Sequence, residues 1–127
     1  MARVLIVDDS ALSRRLLRAI VEVDGHEVFE ATDGLSALEQ YYLQRPAVVF
    51  LDLIMAGMKG IEVLAKLREL DPQARVIVAT ADIQKSSVAL AQEAGAAAYV
   101  TKPFDRDTVL ATLREQLAEV AHPKESE

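Results

Sequence analysis

Residues 47–52 read AVVFLD, an unbroken apolar run closed by an aspartate. Two other stretches repeat that form: VLIV at 4–7 runs into Asp8 and Asp9, and VIVA at 76–79 runs into Thr80. Short continuous apolar runs rich in β-branched residues are what parallel strands look like when helices cover both of their faces. Each run also ends on a polar side chain, so the same pattern that marks the strands marks the edge where they stop.

Working outward, five short runs alternate with five longer stretches of helical spacing. The strands are expected at Val4 to Val7, Glu27 to Ala31, Ala47 to Leu51, Arg75 to Ala79 and Ala98 to Val100. The second is mixed in character and belongs at a sheet edge. The first helix carries Leu12, Leu16, Leu17, Ile20 and Val21 on one face and stops at Gly25. Asp33-Gly34 opens a second helix to about Gln44, closed by Pro46. Gly60 opens a third through Leu64 and Leu67, closed by Asp71-Pro72. The fourth, Ile83 to Ala94, is alanine-rich and weakly amphipathic and ends at Gly95. The fifth runs from Asp105 to Val120 with Leu110, Leu113, Leu117 and Val120 on one side, and HPKESE at 122–127 reads as a polar tail.

Right-handed crossovers turn five such units into a doubly wound α/β sheet of flavodoxin-like type, for which 2-1-3-4-5 is the usual strand order. In that architecture ligands bind beyond the carboxyl ends of the strands. Asp8 and Asp9 follow the first strand, Asp52 the third, Thr80 the fourth and Lys102 the fifth, so separate connections deliver one polar set to one edge. Clustered carboxylates repel unless a cation lies among them, and a hard cation such as Mg2+ takes carboxylate, carbonyl and water oxygens. A carboxylate nucleophile at Asp52 would accept a phosphoryl group as an acyl phosphate, its charge met by the cation, the Lys102 ammonium and the Thr80 hydroxyl.

Each residue has an ordinary reading on its own. Asp8, Asp9 and Ser10 suit a helix N-cap, Asp52 a loop, Thr80 a local backbone bond and Lys102 the surface. Their arrival together at the ends of the correct strands is what favours the chemical reading.

RVLIVDDS, ATDGLSAL, VVFLDLIMAGMKGIEVLAKLR, VIVATA and GAAAYVTKPF, which together cover nearly the whole chain, resemble the receiver domains of two-component response regulators, in particular the stand-alone, chemotaxis-type members. The resemblance implies a receiver domain over residues 1–121 and makes Asp52 the phosphorylation site. It makes Asp8, Asp9 and the backbone carbonyl of Ile54 the remaining protein ligands of Mg2+. Thr80 becomes the hydroxyl that moves onto the phosphoryl group, Lys102 its ion partner and Tyr99 the switch aromatic, with a core tyrosine as the alternative for Tyr99. The donor it implies is a phosphohistidine on a sensor histidine kinase or phosphotransfer protein. The downstream partner binds the face built by the fourth helix, fifth strand and fifth helix. The family usually has the bond between Lys102 and Pro103 cis; the sequence alone also allows Pro103 simply to precede the last helix.

Two departures stand out. Where the family carries a proline four residues after the acceptor, this chain has Ala56 followed by Gly57, which loosens the loop. Ile54 is apolar where polar groups are frequent, and Asp82 follows two residues after Thr80. Both positions are candidates for tuning phosphoryl lifetime.

At 127 residues with 51% hydrophobic and 27% charged side chains the chain suits one domain of this size. A net charge of −6 opposes binding to nucleic acid. The absence of cysteine and of any spanning or signal-like apolar run points to the cytoplasm. His26 and His122 do not make a zinc site, and GMKG at 57–60 lacks the spacing of a P-loop. Of Tyr41 and Tyr42, one ring belongs in the core and one in solvent. The expectation is therefore a switch that assists its own phosphorylation, not a turnover enzyme, with output through another protein. The alternatives are a phosphorelay shuttle, a receiver cut from a larger regulator, or a small aspartyl-phosphate hydrolase. The hydrolase would need a further acid/base group, which Leu53-Ile54 does not offer. A flavin carrier of the same fold would face repulsion from DDSALS.

Overall fold

The computed structural model describes residues 1–121, so the expected polar tail at 122–127, including His122, lies outside the described residues. The elements run β1 (Arg3–Val7), α1 (Ala11–Val23), β2 (Glu27–Ala31), α2 (Gly34–Gln44), β3 (Val48–Leu51), α3 (Gly60–Leu70), β4 (Val76–Thr80), α4 (Lys85–Glu93), β5 (Ala98–Thr101) and α5 (Arg106–Ala121). All five strands are parallel, in the order β2-β1-β3-β4-β5, and the mixed strand β2 is at an edge as its composition requires.

Alternation along the strands divides the core in two. Leu5, Val7, Val49, Leu51, Val76 and Val78 face α2, α3 and α4, where they meet Tyr41, Val63, Leu64 and Leu67. Val4, Ile6, Val48, Phe50, Ile77 and Ala79 face α1 and α5, packing on Leu17, Val21, Val109 and Leu113. The central strands are thus covered on both sides, which is why their sequences do not alternate. Among the described residues no helix is long and apolar enough to cross a membrane.

Local signals account for most helix ends. The Ser10 hydroxyl accepts the Ser13 N–H, and the Asp33 carboxylate accepts the Ser36 N–H at 2.8 Å, satisfying amides that α1 and α2 would otherwise leave open. Gly25 and Gly95, just past α1 and α4, have φ of +86° and +100°. Tyr41 is buried, with its hydroxyl donating to Asp71 at 2.7 Å, while Tyr42 is exposed.

Three expectations are corrected. The apolar face proposed for α1 is too wide: Leu17 and Val21 are buried, but Leu12 and Leu16 are 60% and 51% exposed. Leu16 lies one residue's rotation, roughly 100°, from Leu17, and Leu12 about 140° from it, so both fall off the stripe that meets the sheet. Likewise α4 begins at Lys85, not Ile83, because the Asp82 carboxylate accepts the Gln84 N–H at 3.0 Å and holds 82–84 as a turn. Ile83 is left exposed. On α5, Leu110 and Leu113 are buried as expected, but Val120, placed on the same side, is 43% exposed at the last turn.

Candidate functional site

At the carboxyl edge Asp8 follows β1 and Asp52 follows β3, each 3% exposed. Neighbouring strands fix the backbone at both points. Asp8 N–H donates to Ala31 at 3.1 Å and Asp52 N–H to Val7 at 3.0 Å. Lys102, after β5, donates its backbone N–H to Thr80 at 2.9 Å and extends its ammonium to within 2.8 Å of both Asp8 Oδ2 and Asp52 Oδ2. The remaining carboxylate oxygens accept backbone amides two residues on, Ser10 N–H at 2.9 Å and Ile54 N–H at 3.0 Å. The peptide between Lys102 and Pro103 is cis.

Burial pushes the Asp8 carboxyl above its ordinary range. Lys102 and the Ser10 amide pull it back only in part, and the charge of Asp52 adds to the rise. For Lys102 burial works against the charge, but the bonds to Asp52 and Asp8 outweigh it and raise its pKa. The two carboxylates thus share one ammonium.

Asp9 is more exposed and turns to the β3–α3 loop, where it accepts the Ala56 N–H at 3.2 Å. Among the described residues no three acidic or imidazole groups already form a cation cage. The donor set nonetheless fits Mg2+ in kind: it is hard oxygen, and its two buried members, Asp8 and Asp52, share a single ammonium.

Thr80 ends β4 and is fully buried; its hydroxyl accepts the Asp82 N–H at 3.4 Å. Tyr99 is half-buried, and its hydroxyl donates to the Asp82 backbone carbonyl at 2.6 Å. Burial, then the charges of Asp82 and Asp52, push the phenol upward. The Asp82 carboxylate in turn accepts the Ser87 hydroxyl of α4 at 2.6 Å, and that bond with the Gln84 amide holds its pKa low. Residue 82 therefore joins Thr80, Tyr99 and α4. Ile54 projects a side chain 59% exposed.

Of the residues expected at this site, Asp8, Asp52 and Lys102 are in direct contact, Asp9 and Ile54 flank them, and Thr80 and Tyr99 meet at Asp82. Two contributors were not read from the sequence. Gly60 opens α3 against the β3–α3 loop: a Cβ there would lie 2.3 Å from the Asp52 carbonyl oxygen and 2.4 Å from Leu53 Cα. Its place as a helix start was visible, but the close approach was not. The other is Arg14, which reaches the backbone carbonyl of Asp8 at 2.8 Å.

A five-stranded doubly wound sheet with two buried acids and a lysine at its carboxyl edge defines an α/β protein of the flavodoxin-like class. Residues 4–114 match the response regulator receiver domain family, and the chain belongs to it. It is 40% identical over 116 residues to the chemotaxis protein CheY of Bacillus subtilis, covering 91% of this chain and 97% of that one. Its fold is similar to that of a CheY-like receiver domain protein from Methanospirillum hungatei JF-1, with a TM-score of 0.92, 27% identity and coverage of 98% and 99%. It is also similar to a chain of the CheX-CheY-BeF3-Mg2+ complex from Borrelia burgdorferi, at a TM-score of 0.85, 34% identity and coverage of 89% and 87%.

Proposed function

We propose that the chain is a phosphorylation-controlled switch that takes a phosphoryl group on Asp52 from a phosphohistidine of a sensor kinase or phosphotransfer protein and thereby changes which protein it binds. The observation that carries this reading is the Lys102 ammonium shared between the buried Asp8 and Asp52 carboxylates. An Asp52 oxygen attacks phosphorus and forms the O–P bond while the P–N bond of the donor breaks, its electron pair returning to the imidazole. Lys102 keeps its place beside Asp52, where it can follow the new negative charge. The Thr80 hydroxyl, bonded to Asp82 N–H only at 3.4 Å, is free to reorient towards the added oxygens.

Asp8, Asp9, Asp52 and the Ile54 carbonyl are the groups that would hold Mg2+, which supplies charge that draws carboxylate and phosphoryl oxygens together. The Borrelia burgdorferi complex brings Mg2+ and BeF3 together with a CheY, and this supports the same metal here. Displacement of Thr80 and release of Tyr99 from Asp82 would remodel the face of α4, β5 and α5, through which a downstream protein binds. Likeness to a chemotaxis protein favours a chemotaxis-type output in the cytoplasm.

Incubation with Mg2+ and a small acyl-phosphate donor tests the reading. Intact mass should gain one phosphoryl group, labile to hydroxylamine, in the native chain and none in Asp52→Ala. A folded native chain that gains nothing refutes the assignment.

A further inference from the structure

The side of the acidic pocket away from Lys102 is held by a charged cluster on α1 and the edge strand. Arg14, in the first turns of α1, donates through Nη1 to the Asp8 backbone carbonyl at 2.8 Å and through Nε to Glu30 Oε1 on β2, also at 2.8 Å. The second oxygen of Glu30 accepts from Arg18, one turn further along α1. Arg18 also reaches Glu22 at 3.1 Å and the Val28 carbonyl at 3.4 Å. The two arginines hold Glu30 below its ordinary pKa in spite of its partial burial.

The Asp8 carbonyl belongs to the peptide that leads into Asp9. Ala31 fixes the Asp8 N–H in the preceding peptide and Arg14 fixes this carbonyl, so the peptide joining the two acids is held in its rotation about Asp8. That rotation determines where the Asp9 side chain can point, and a shift in it moves one acid relative to the other. The planar fork of Arg14 holds a carbonyl and a carboxylate at a fixed angle to each other, which the rotating ammonium of a lysine does not impose. Charge is the lesser part of its effect, because Glu30 lies against it at 2.8 Å and offsets it.

We propose that Arg14 is a positioning residue for the acidic pocket: braced by Glu30, it orients the peptide between Asp8 and Asp9 so that both acids face one cation. The inference rests on the phosphoacceptor reading above and concerns this chain's residues beyond those assigned to the metal itself. Arg18 provides the comparison, since it shares Glu30 and α1 while its bonds lie on α1 and β2.

Titration with MgCl2 followed by amide NMR of the full chain gives affinity and reports folding in the same spectra. Arg14→Lys, which keeps the charge but loses the fork, is expected to weaken Mg2+ binding about tenfold, as partners of metal ligands commonly do, with Arg18→Ala within about twofold of the native chain. A loss of less than about threefold in Arg14→Lys, or an equal loss in Arg18→Ala, overturns the proposal. If Arg14→Lys does not fold, Glu30→Gln decides: weaker binding by about threefold or more supports the brace, and unchanged binding overturns it. A native chain that folds yet shows no saturable Mg2+ binding overturns the phosphoacceptor reading and this inference with it, a result distinct from loss in the variant alone.

Discussion

The Lys102 ammonium lies 2.8 Å from Asp8 and 2.8 Å from Asp52, bridging the ends of two strands that are themselves hydrogen-bonded neighbours. A single cation thereby serves two carboxylates whose side chains are only 5% and 4% exposed. Removing it leaves both acids buried with no lysine between them. In metal-free buffer Lys102→Met is expected to lose roughly 1–3 kcal/mol of stability, less than for a fully enclosed pair because Lys102 keeps some contact with water. Urea unfolding with EDTA present measures this, and an unchanged midpoint would show that the bridge contributes nothing.

Asp8 gives a pH dependence of unusual sign for a carboxylate. Its folded pKa is raised, chiefly by burial, so the folded state prefers the neutral acid. Its contribution to stability is greatest below the unfolded value of 3.8 and is lost as pH rises through the higher folded value. Asp8→Asn is therefore expected to be more stable than the native chain at pH 7 without metal, with the gap closing as pH falls towards 4. Denaturation of both proteins from pH 4 to 7 checks it; a gap that widens towards low pH contradicts the assignment.

Gly60 and Gly25 separate two reasons for glycine. Gly25 has φ of +86° with open space around it, so Gly25→Ala is expected to cost about 1 kcal/mol through backbone strain alone. Gly60→Ala places a methyl 2.3 Å from the Asp52 carbonyl oxygen, and relief requires α3 or the acceptor loop to shift. Thermal unfolding should show the larger loss for Gly60→Ala, and phosphorylation of Asp52 by a small donor should slow markedly in that variant and stay near native in Gly25→Ala.

Ile54 presents an exposed branched side chain beside Asp52, and its backbone N–H already donates to the acceptor at 3.0 Å. Exchanging it for asparagine alters how water approaches a phosphoryl group on Asp52 without removing that main-chain bond. The half-life of the acyl phosphate in Ile54→Asn is therefore expected to differ from that of the native chain. Equal decay rates in the two proteins would eliminate Ile54 as a determinant of lifetime.

The strands were legible because β3 and β4 are covered on both faces, which leaves continuous apolar runs, and because each run is followed by a polar residue. Asp8, Asp52 and Lys102 could be found as strand-end residues, since topology alone carries those positions to one edge. The limits of α1 were not legible: helical spacing marks Leu12 and Leu16 as apolar without telling how wide a stripe the sheet will cover. The delayed start of α4 depends on the Asp82 side chain competing for backbone amides, a choice that periodicity does not encode. The links from Arg14 to Glu30 and from Gly60 to Asp52 join separate elements at a register fixed only once the sheet has formed.

Tyr99 anchors itself to the main chain of residue 82, not to its carboxylate. The carboxylate of the same residue holds the 82–84 turn through the Gln84 amide and grips Ser87, so one residue ties the seat of the phenol to the start of α4. For protein engineering this makes residue 82 a coupled control, where a changed side chain alters the entry into α4 and the seat of the aromatic together.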